Sequence, residues 1–254
     1  MDTTTIFGLL AFAGLAWSVS RGGHLFEILL NWHGLAIVIG GTCAATLINT
    51  PARFLGDVLR AFASLLARPA FGATHEIVKV MVAMSEQARI RGLSVLRDPD
   101  PALADGFLAR ACQVCLEKND QRFVRRVLED HINRDYDCQN EVTNVIRTMG
   151  VLAPMFGLVG TLIGIIEVLR QLSDPQQVGM AMGVAITSAL YGILLANLIL
   201  VPAAGKLRIR AWQELLCKSL VMEGLLEIMD GAIPMQVERR LKALARERET
   251  ALAE

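Results

Sequence analysis

The chain has 254 residues, of which 53% are hydrophobic and 20% charged, and 25 basic residues balance 25 acidic ones. A soluble domain sits nearer 45–50% apolar, so the excess points to a membrane. The zero net charge gives no footprint for nucleic acid.

The charges are unevenly placed. Residues 3–20 carry none, Ile28 to Ala52 carry none, 148–166 carry none, and the 31 positions from Pro175 to Gly205 carry none. Crossing the hydrocarbon core takes roughly 20 mainly apolar residues. Four spans are therefore predicted, near 4–20, 32–50, 149–169 and 178–204. The first reads as a span rather than a signal peptide, because no basic stretch precedes it and no small-residue cleavage pattern ends it.

The first two spans are bulky in side chain and read as a lipid-facing collar. Of the 25 basic residues only Arg21 and Arg170 fall outside the blocks 51–147 and 206–254. Basic residues near membrane ends stay in the cytoplasm, and Arg53, Arg60, Arg147, Lys206, Arg208 and Arg210 lie there. Both termini are then cytoplasmic, with short outer loops near 21–31 and 170–177.

The segment 51–147 reads as helical. Ile77, Val80, Met81, Met84 and Ala88 recur on one helix face, as do Phe123, Val124, Val127, Leu128 and Ile132. Arg97-Asp98-Pro99-Asp100-Pro101 is a predicted helix stop. Cys112 and Cys115 fall on an apolar face with Leu108, Ala111 and Leu116, so packing rather than metal or redox chemistry is expected of them.

Spans three and four are rich in glycine. Gly160-x-x-x-Gly164 and Gly179-x-x-x-Gly183 are spacings that let helix backbones approach closely. Glu167 and Arg170, three apart at the outer end of span three, are expected to pair. Pro154 removes the helix hydrogen bond to the Gly150 carbonyl and Pro202 the one to Leu198. Both lie toward the cytoplasmic end, where they suit a hinge or an exit gate. The polar groups there are Thr161, Thr187, Ser188, Tyr191 and Asn197, and such hydroxyls often bond their own helix. There is no mid-membrane carboxylate, which a proton or sodium path normally needs. If the chain conducts, a partner must bring the titrating group. The region 206–254 continues as amphipathic helix, broken at Asp230-Gly231-Ala232-Ile233-Pro234.

No motif of a hydrolase, kinase or metalloenzyme is present, so no catalytic residue, cofactor or metal is expected.

Val151-Leu-Ala-Pro-Met-Phe-Gly-Leu-Val-Gly-Thr-Leu-Ile-Gly164 resembles the third span of MotA/PomA flagellar stator subunits, and Gly183-Val-Ala-Ile-Thr-Ser-Ala-Leu-Tyr-Gly192 with Pro202-Ala-Ala-Gly-Lys206 resembles their fourth. Gly22-Gly-His24, Ile37-Val-Ile-Gly-Gly-Thr42 and Met222-Glu-Gly-Leu-Leu226 also fit. The ExbB and TolQ members of the wider superfamily have three spans, so a fourth favours MotA. An energiser of another envelope process and a non-conducting scaffold remain the alternatives.

The resemblance implies an all-α integral protein of the bacterial inner membrane. Its parts would be spans one and two over 1–50, a rotor-contacting helical domain over 51–147, the ion-facing spans over 148–205 and C-terminal helices over 206–254. It also implies a pentamer around two copies of a single-span MotB-like subunit that supplies the ion-carrying Asp, with a FliG-like rotor protein as second partner. On this resemblance Pro154 and Pro202 couple ion flow to movement, Thr161 faces the partner's Asp, and Arg89 is the basic rotor contact, beside Arg91. The acidic rotor contact falls on Arg97, with Asp98 next to it. Thr187, Ser188 and Tyr191 flank the path. Ala189 stands where sodium-driven relatives carry Thr, which favours protons over sodium as the transported ion, because a methyl cannot replace part of a sodium hydration shell. Motor torque is therefore expected to persist when sodium is removed and to vanish when a protonophore collapses the proton gradient; loss of torque in sodium-free medium would reverse the assignment.

Overall fold

The computed structural model describes residues 14, 31–66, 74–99, 103–118 and 120–253. The first span, the outer loop with His24, and Asp100-Pro101 lie outside the described residues, apart from Gly14. Every regular element among the described residues is helical, as the periodicity predicts: α1 Trp32–Asn49, α2 Ala52–Leu66, α3 Thr74–Arg91, a short 3-10 helix Gly92–Arg97, α4 Phe107–Glu117, α5 Gln121–Arg170, α6 Pro175–Leu194, a π-helical turn Leu195–Leu200, α7 Val201–Met229 and α8 Pro234–Ala253.

Among the described residues three stretches are long and apolar enough to cross a membrane: Trp32–Asn49, part of Gln121–Arg170, and part of Pro175–Met229. The apolar stretches of α5 and of α6–α7 end where charge returns but their helices run on, whereas α1 stops at Asn49, two residues before Pro51. The starts are capped. Asn31 accepts from the backbone of His33 and Gly34, and Asp174 accepts from Gln176 and Gln177 with Pro175 in the first turn.

The chain forms two compact units, one within Met1–Arg68 and Glu141–Arg208, the other within Pro69–Asn140 and Ile209–Glu254. In the first unit, the α5 and α6 backbones meet along small residues. A side chain begun at Gly192 would lie 2.6 Å from the Ala153 carbonyl oxygen, one at Gly164 would lie 2.6 Å from the Ala185 Cβ, and one at Gly160 would collide with the Ser188 hydroxyl. The seam is thus Ala153, Gly157, Gly160 and Gly164 against Ala181, Ala185, Ser188 and Gly192. Gly160 and Gly164 do what their spacing predicts. Gly179 and Gly183 do not: nothing lies within 4 Å of a side chain added at either. The α6 stripe that meets α5 begins at Ala181, one helical face away. Helix α1 packs on α6, with Gly34 against Thr187 and Ser188 and Gly41 under the Phe156 ring. Helix α2 joins this unit through Val58, Ala61 and Phe62, which share a core with Val142, Ile146 and Ala203.

The second unit has its own core, drawn from Ile77, Met81 and Met84 of α3, Leu108, Cys112 and Cys115 of α4, Val124 and Leu128 of α5, Leu220 and Leu225 of α7, and Val237 and Leu241 of α8. Two positions expected on its apolar faces are not buried. Leu116 is 41% exposed, and Phe123 is 39% exposed with the Lys118 ammonium 4.2 Å from its ring centre. Helix α3 also stops earlier than Pro99 predicts, at Arg91, because Gly92 turns to φ +68° and the backbone tightens into the 3-10 helix. The break after α7 falls where expected, on Gly231 at φ +72°.

Charge fastens this unit. Lys218, whose side chain is 4% exposed, places its Nζ 2.5 Å from both Asp135 and Glu214, and Gln139 donates to Glu214. Arg125 of α5 forks onto Glu223 of α7 at 2.6 and 3.2 Å, while Arg240 of α8 binds Glu227 at 2.7 Å. A buried cation left alone would cost several kcal/mol, so the partners of Lys218 are structurally required.

Two outcomes are expected. Gly192→Val drives a branched side chain into a backbone carbonyl; overpacking typically costs about 1–3 kcal/mol, so protease resistance of the detergent-solubilised protomer falls, whereas Gly183→Ala leaves it intact. Burial pushes the Cys112 thiol up to about 12, helped by Cys115, and the Cys115 and Cys217 thiols up to about 11. Thiolate is the reactive form, so alkylation of these three at pH 8 is expected to be at least roughly 100-fold slower than that of exposed Cys138, read by mass spectrometry of native against unfolded protein.

Candidate functional site

The residues singled out in the inner spans divide between a covered seam and an open flank. Ser188 belongs to the seam, and Thr187 beside it faces Gly34 at the start of α1. Both are buried, and both spend their donor on their own helix: Thr187 Oγ1 to the Gly183 carbonyl at 2.8 Å, Ser188 Oγ to the Val184 carbonyl at 2.8 Å and the Ala185 carbonyl at 3.0 Å. Ala189 lies on the same side, its Cα 3.3 Å from the point where a Gly157 side chain would start. Tyr191 reaches α1, where its hydroxyl accepts from the Asn31 backbone N–H at 3.0 Å and so ties α6 to the start of α1.

Pro154 and Thr161 stand seven residues apart, two turns along one flank of α5. That flank borders the seam, since the Pro154 Cα lies 3.1 Å from a side chain begun at Gly192. Thr161 Oγ1 donates to the Leu158 carbonyl at 2.6 Å. Its oxygen keeps lone pairs, so it can still accept a hydrogen bond or contact a cation. Around these two residues the surface of the single protomer is apolar and open: Val151, Met155, Leu158, Leu162 and Ile165 are each more than half exposed. Glu167 does not pair with Arg170 as its spacing predicts. It accepts instead from Gln171 Nε2, one turn further along.

Pro202 sits on an exposed surface two residues after the π-helical turn Leu195–Leu200. A proline in a helix has no N–H to donate and its ring crowds the carbonyl four residues earlier. Widening the preceding turn relieves that crowding. Pro154 has no such turn and lies within an uninterrupted α-helix.

Helix α1 carries a feature to which the motifs assign no role, although Thr42 ends the Ile37-Val-Ile-Gly-Gly-Thr42 segment. Thr42 is 1% exposed and its hydroxyl has no hydrogen-bond partner among the described residues, while Thr46, one turn on, donates to the Thr42 carbonyl at 2.7 Å. The repeat Val38, Thr42, Thr46 at every fourth position marks the buried face of α1, and that spacing is the signal by which it could have been found.

In the second unit, Arg89 and Arg91 occupy the exposed last turn of α3, Arg97 ends the 3-10 helix, and Asp98 caps it. Their grouping differs from their order in sequence. Arg91 and Asp98 line one hollow of about 260 Å³, with Met84, Val95 and Pro99. Arg89 lines another, of about 220 Å³, with Ala88, Leu93, Ile228 and Met229. Arg97 lines neither. Among the described residues no cluster of His, Cys, Asp or Glu could hold a metal ion.

The MotA/TolQ/ExbB proton channel family matches over residues 100–219. The chemotaxis protein PomA of Vibrio alginolyticus is 30% identical over 99% of this chain and 98% of its own length. The motility protein A of Bacillus subtilis is 26% identical over 95% of this chain and 90% of its own. The flagellar MotAB stator complex from Bacillus subtilis contains a chain that superposes with a TM-score of 0.85 at 25% identity, covering 100% of each, and a chain of the C. jejuni MotAB structure matches the fold at the same TM-score with 21% identity. With identity at this level across the full length of both chains, the protein belongs to the MotA/TolQ/ExbB proton channel family, on its MotA/PomA branch of flagellar stator A subunits, a family of ion channels rather than of enzymes.

Proposed function

We propose that the chain is the channel-forming A subunit of a proton-driven flagellar stator, assembled as a pentamer around a single-span B subunit and converting proton flow into torque on a FliG-like rotor protein. The carrying observation is a lack: the inner spans bring no charged group of their own from 148 to 166 or from 175 to 205. Their two buried hydroxyls, Thr187 and Ser188, are already engaged on α6. A charge crossing hydrocarbon needs a titrating or solvating group, so that group comes on the partner. The solved relative is a complex of an A and a B chain, as its name states.

In this reading the chain crosses the inner membrane four times with both termini in the cytoplasm. Residues 1–50 form the collar, 51–147 the rotor-contacting domain, 148–205 the ion-facing pair and 206–254 the C-terminal cytoplasmic helices. The apolar flank of α5 carrying Pro154 and Thr161 faces the B subunit, and the partner's carboxylate passes Thr161. Ala189 and Tyr191 hold α6 to α5 and α1, and Thr187 and Ser188 act by packing as much as by polarity. The π-helical turn before Pro202 gives span four a place to flex near the cytoplasmic mouth. Arg89, Arg91, Arg97 and Asp98 present the rotor-facing charge. One charge falling through 100 mV releases about 2.3 kcal/mol, several times thermal energy, which suffices to drive one step.

The test is complementation of a host lacking its own A subunit, with the cognate B subunit supplied. The wild-type chain is expected to co-purify with a single-span protein bearing a membrane Asp and to restore swimming. Pro154→Ala and Thr161→Ala are expected to reduce swimming speed at least roughly tenfold at unchanged membrane level. Normal swimming by both variants would exclude conduction along this flank.

A further inference from the structure

Helix α2 has more apolar surface than the protein covers. Val58, Ala61, Phe62 and Leu65 turn into the core shared with α5 and α7. Leu55, Leu59 and Ala63, each one turn apart, form a second apolar flank beside that face, and Leu59 is 72% exposed. Beyond this flank, two turns apart on one side of the helix, stand Arg53 and Arg60. Neither is firmly held. Arg60 reaches Asp57 of its own helix at 3.1 Å with its side chain 82% exposed, and the Arg53 guanidinium lies 4.7 Å from the Phe54 ring centre, which leaves its N–H donors unspent.

The position of α2 limits what can cover it. Helix α1 is apolar to its end at Asn49, and α2 begins at Ala52, at the edge of that span. It packs on Val142, Ile146 and Met149 of α5 and on Ala203 and Leu207 of α7, where charge returns to those helices too. The stretches that meet here, 51–66, 141–149 and 203–208, carry Arg53, Arg60, Arg147, Lys206 and Arg208 against only Asp57 and Glu141. No ion pair among the described residues joins Arg53, Arg147 or Arg208 to a carboxylate.

We infer that α2 is a lipid-binding helix: it lies along the cytoplasmic face of the membrane with Leu55 and Leu59 among the acyl chains, and Arg53 and Arg60 hold the phosphate of an anionic phospholipid. The inference rests on the four-span placement proposed above and is independent of the rotor. An uncovered apolar flank with a basic edge is how an amphipathic helix seats itself at the acyl–headgroup boundary. A basic cluster next to a span draws anionic headgroups. Arginine suits the task, because its planar fork binds two phosphate oxygens at once. Seated this way, α2 holds the cytoplasmic exits of α5 and α7 at a fixed depth.

The experiment reads lipid rather than swimming. The full chain with its B subunit is placed in nanodiscs of equal phosphatidylglycerol and phosphatidylcholine, and the lipids kept after detergent extraction are counted by native mass spectrometry. Wild type is expected to keep phosphatidylglycerol in preference. Arg53→Gln with Arg60→Gln is expected to lower that preference at least roughly tenfold, while Lys242→Gln with Arg246→Gln, in the second unit, leaves it unchanged. A photo-crosslinking residue at Leu59 is expected to capture phospholipid. An unchanged preference in the Arg53, Arg60 double variant overturns the inference, as do crosslinks from position 59 that reach only a second copy of this chain or another protein. If the double variant fails to assemble, the crosslink decides alone. A wild-type chain that captures lipid at position 59 but does not restore swimming overturns the stator reading and leaves the lipid site standing; one that swims without capturing lipid does the reverse.

Discussion

The rest of the membrane-spanning unit depends on how closely α5 and α6 approach. The Ala153 carbonyl comes within 2.6 Å of where a side chain on Gly192 would start. Nothing larger than hydrogen fits there. In hydrocarbon no hydrophobic force drives helices together, so close van der Waals contact has to do it, and small residues make it available. Once the backbones are that close, Ser188 is enclosed, Phe156 lies over Gly41, and Tyr191 meets the Asn31 N–H. The α5–α6 wall is thus a rigid pair. Its outward flank, with Pro154 and Thr161, is left as the face through which the unit can work.

Pro202 follows a widened π turn, and Pro154 sits in an unbroken helix that has already absorbed it. The two prolines look equivalent in sequence, at matching depth in two spans. The fold treats them differently: a π-helical turn precedes Pro202, whereas Pro154 lies within an uninterrupted α-helix beside Gly192.

The second unit shows a different economy. Its core is ordinary helix packing, but its helices are also cross-fastened by Lys218 to Asp135 and Glu214, and by Arg125 and Arg240 to Glu223 and Glu227. Such ion pairs fix register better than they add stability. On the proposed function, a surface that transmits force benefits from register, since a slipping helix would blunt the push. The charges proposed to touch the rotor are not part of this fastening. Arg89 and Arg91 are exposed at a helix end, where a partner can reach them.

The sequence by itself determined the helical class, the placement of three apolar spans, the lack of a mid-membrane carboxylate and the family, because these depend on hydropathy, charge and local motif, which read along the chain. It also determined the glycine-bearing seam on α5. Only the tertiary structure decided which stripe of α6 meets that seam. Gly179 and Gly183 have the spacing for close approach, yet Ala181, Ala185, Ser188 and Gly192, at the same spacing, do the packing, since helix rotation is set by the whole contact and not by one pair. The fold likewise decided that Glu167 turns to Gln171, that Phe123 and Leu116 stay at the surface, that Thr42 keeps an unbonded hydroxyl among the described residues, and that Arg89 and Arg91 open onto separate hollows. Most of these depend on what lies across space from a residue, and the far wall of the Arg89 hollow comes from Ile228 and Met229, distant in the chain and adjacent only in the fold.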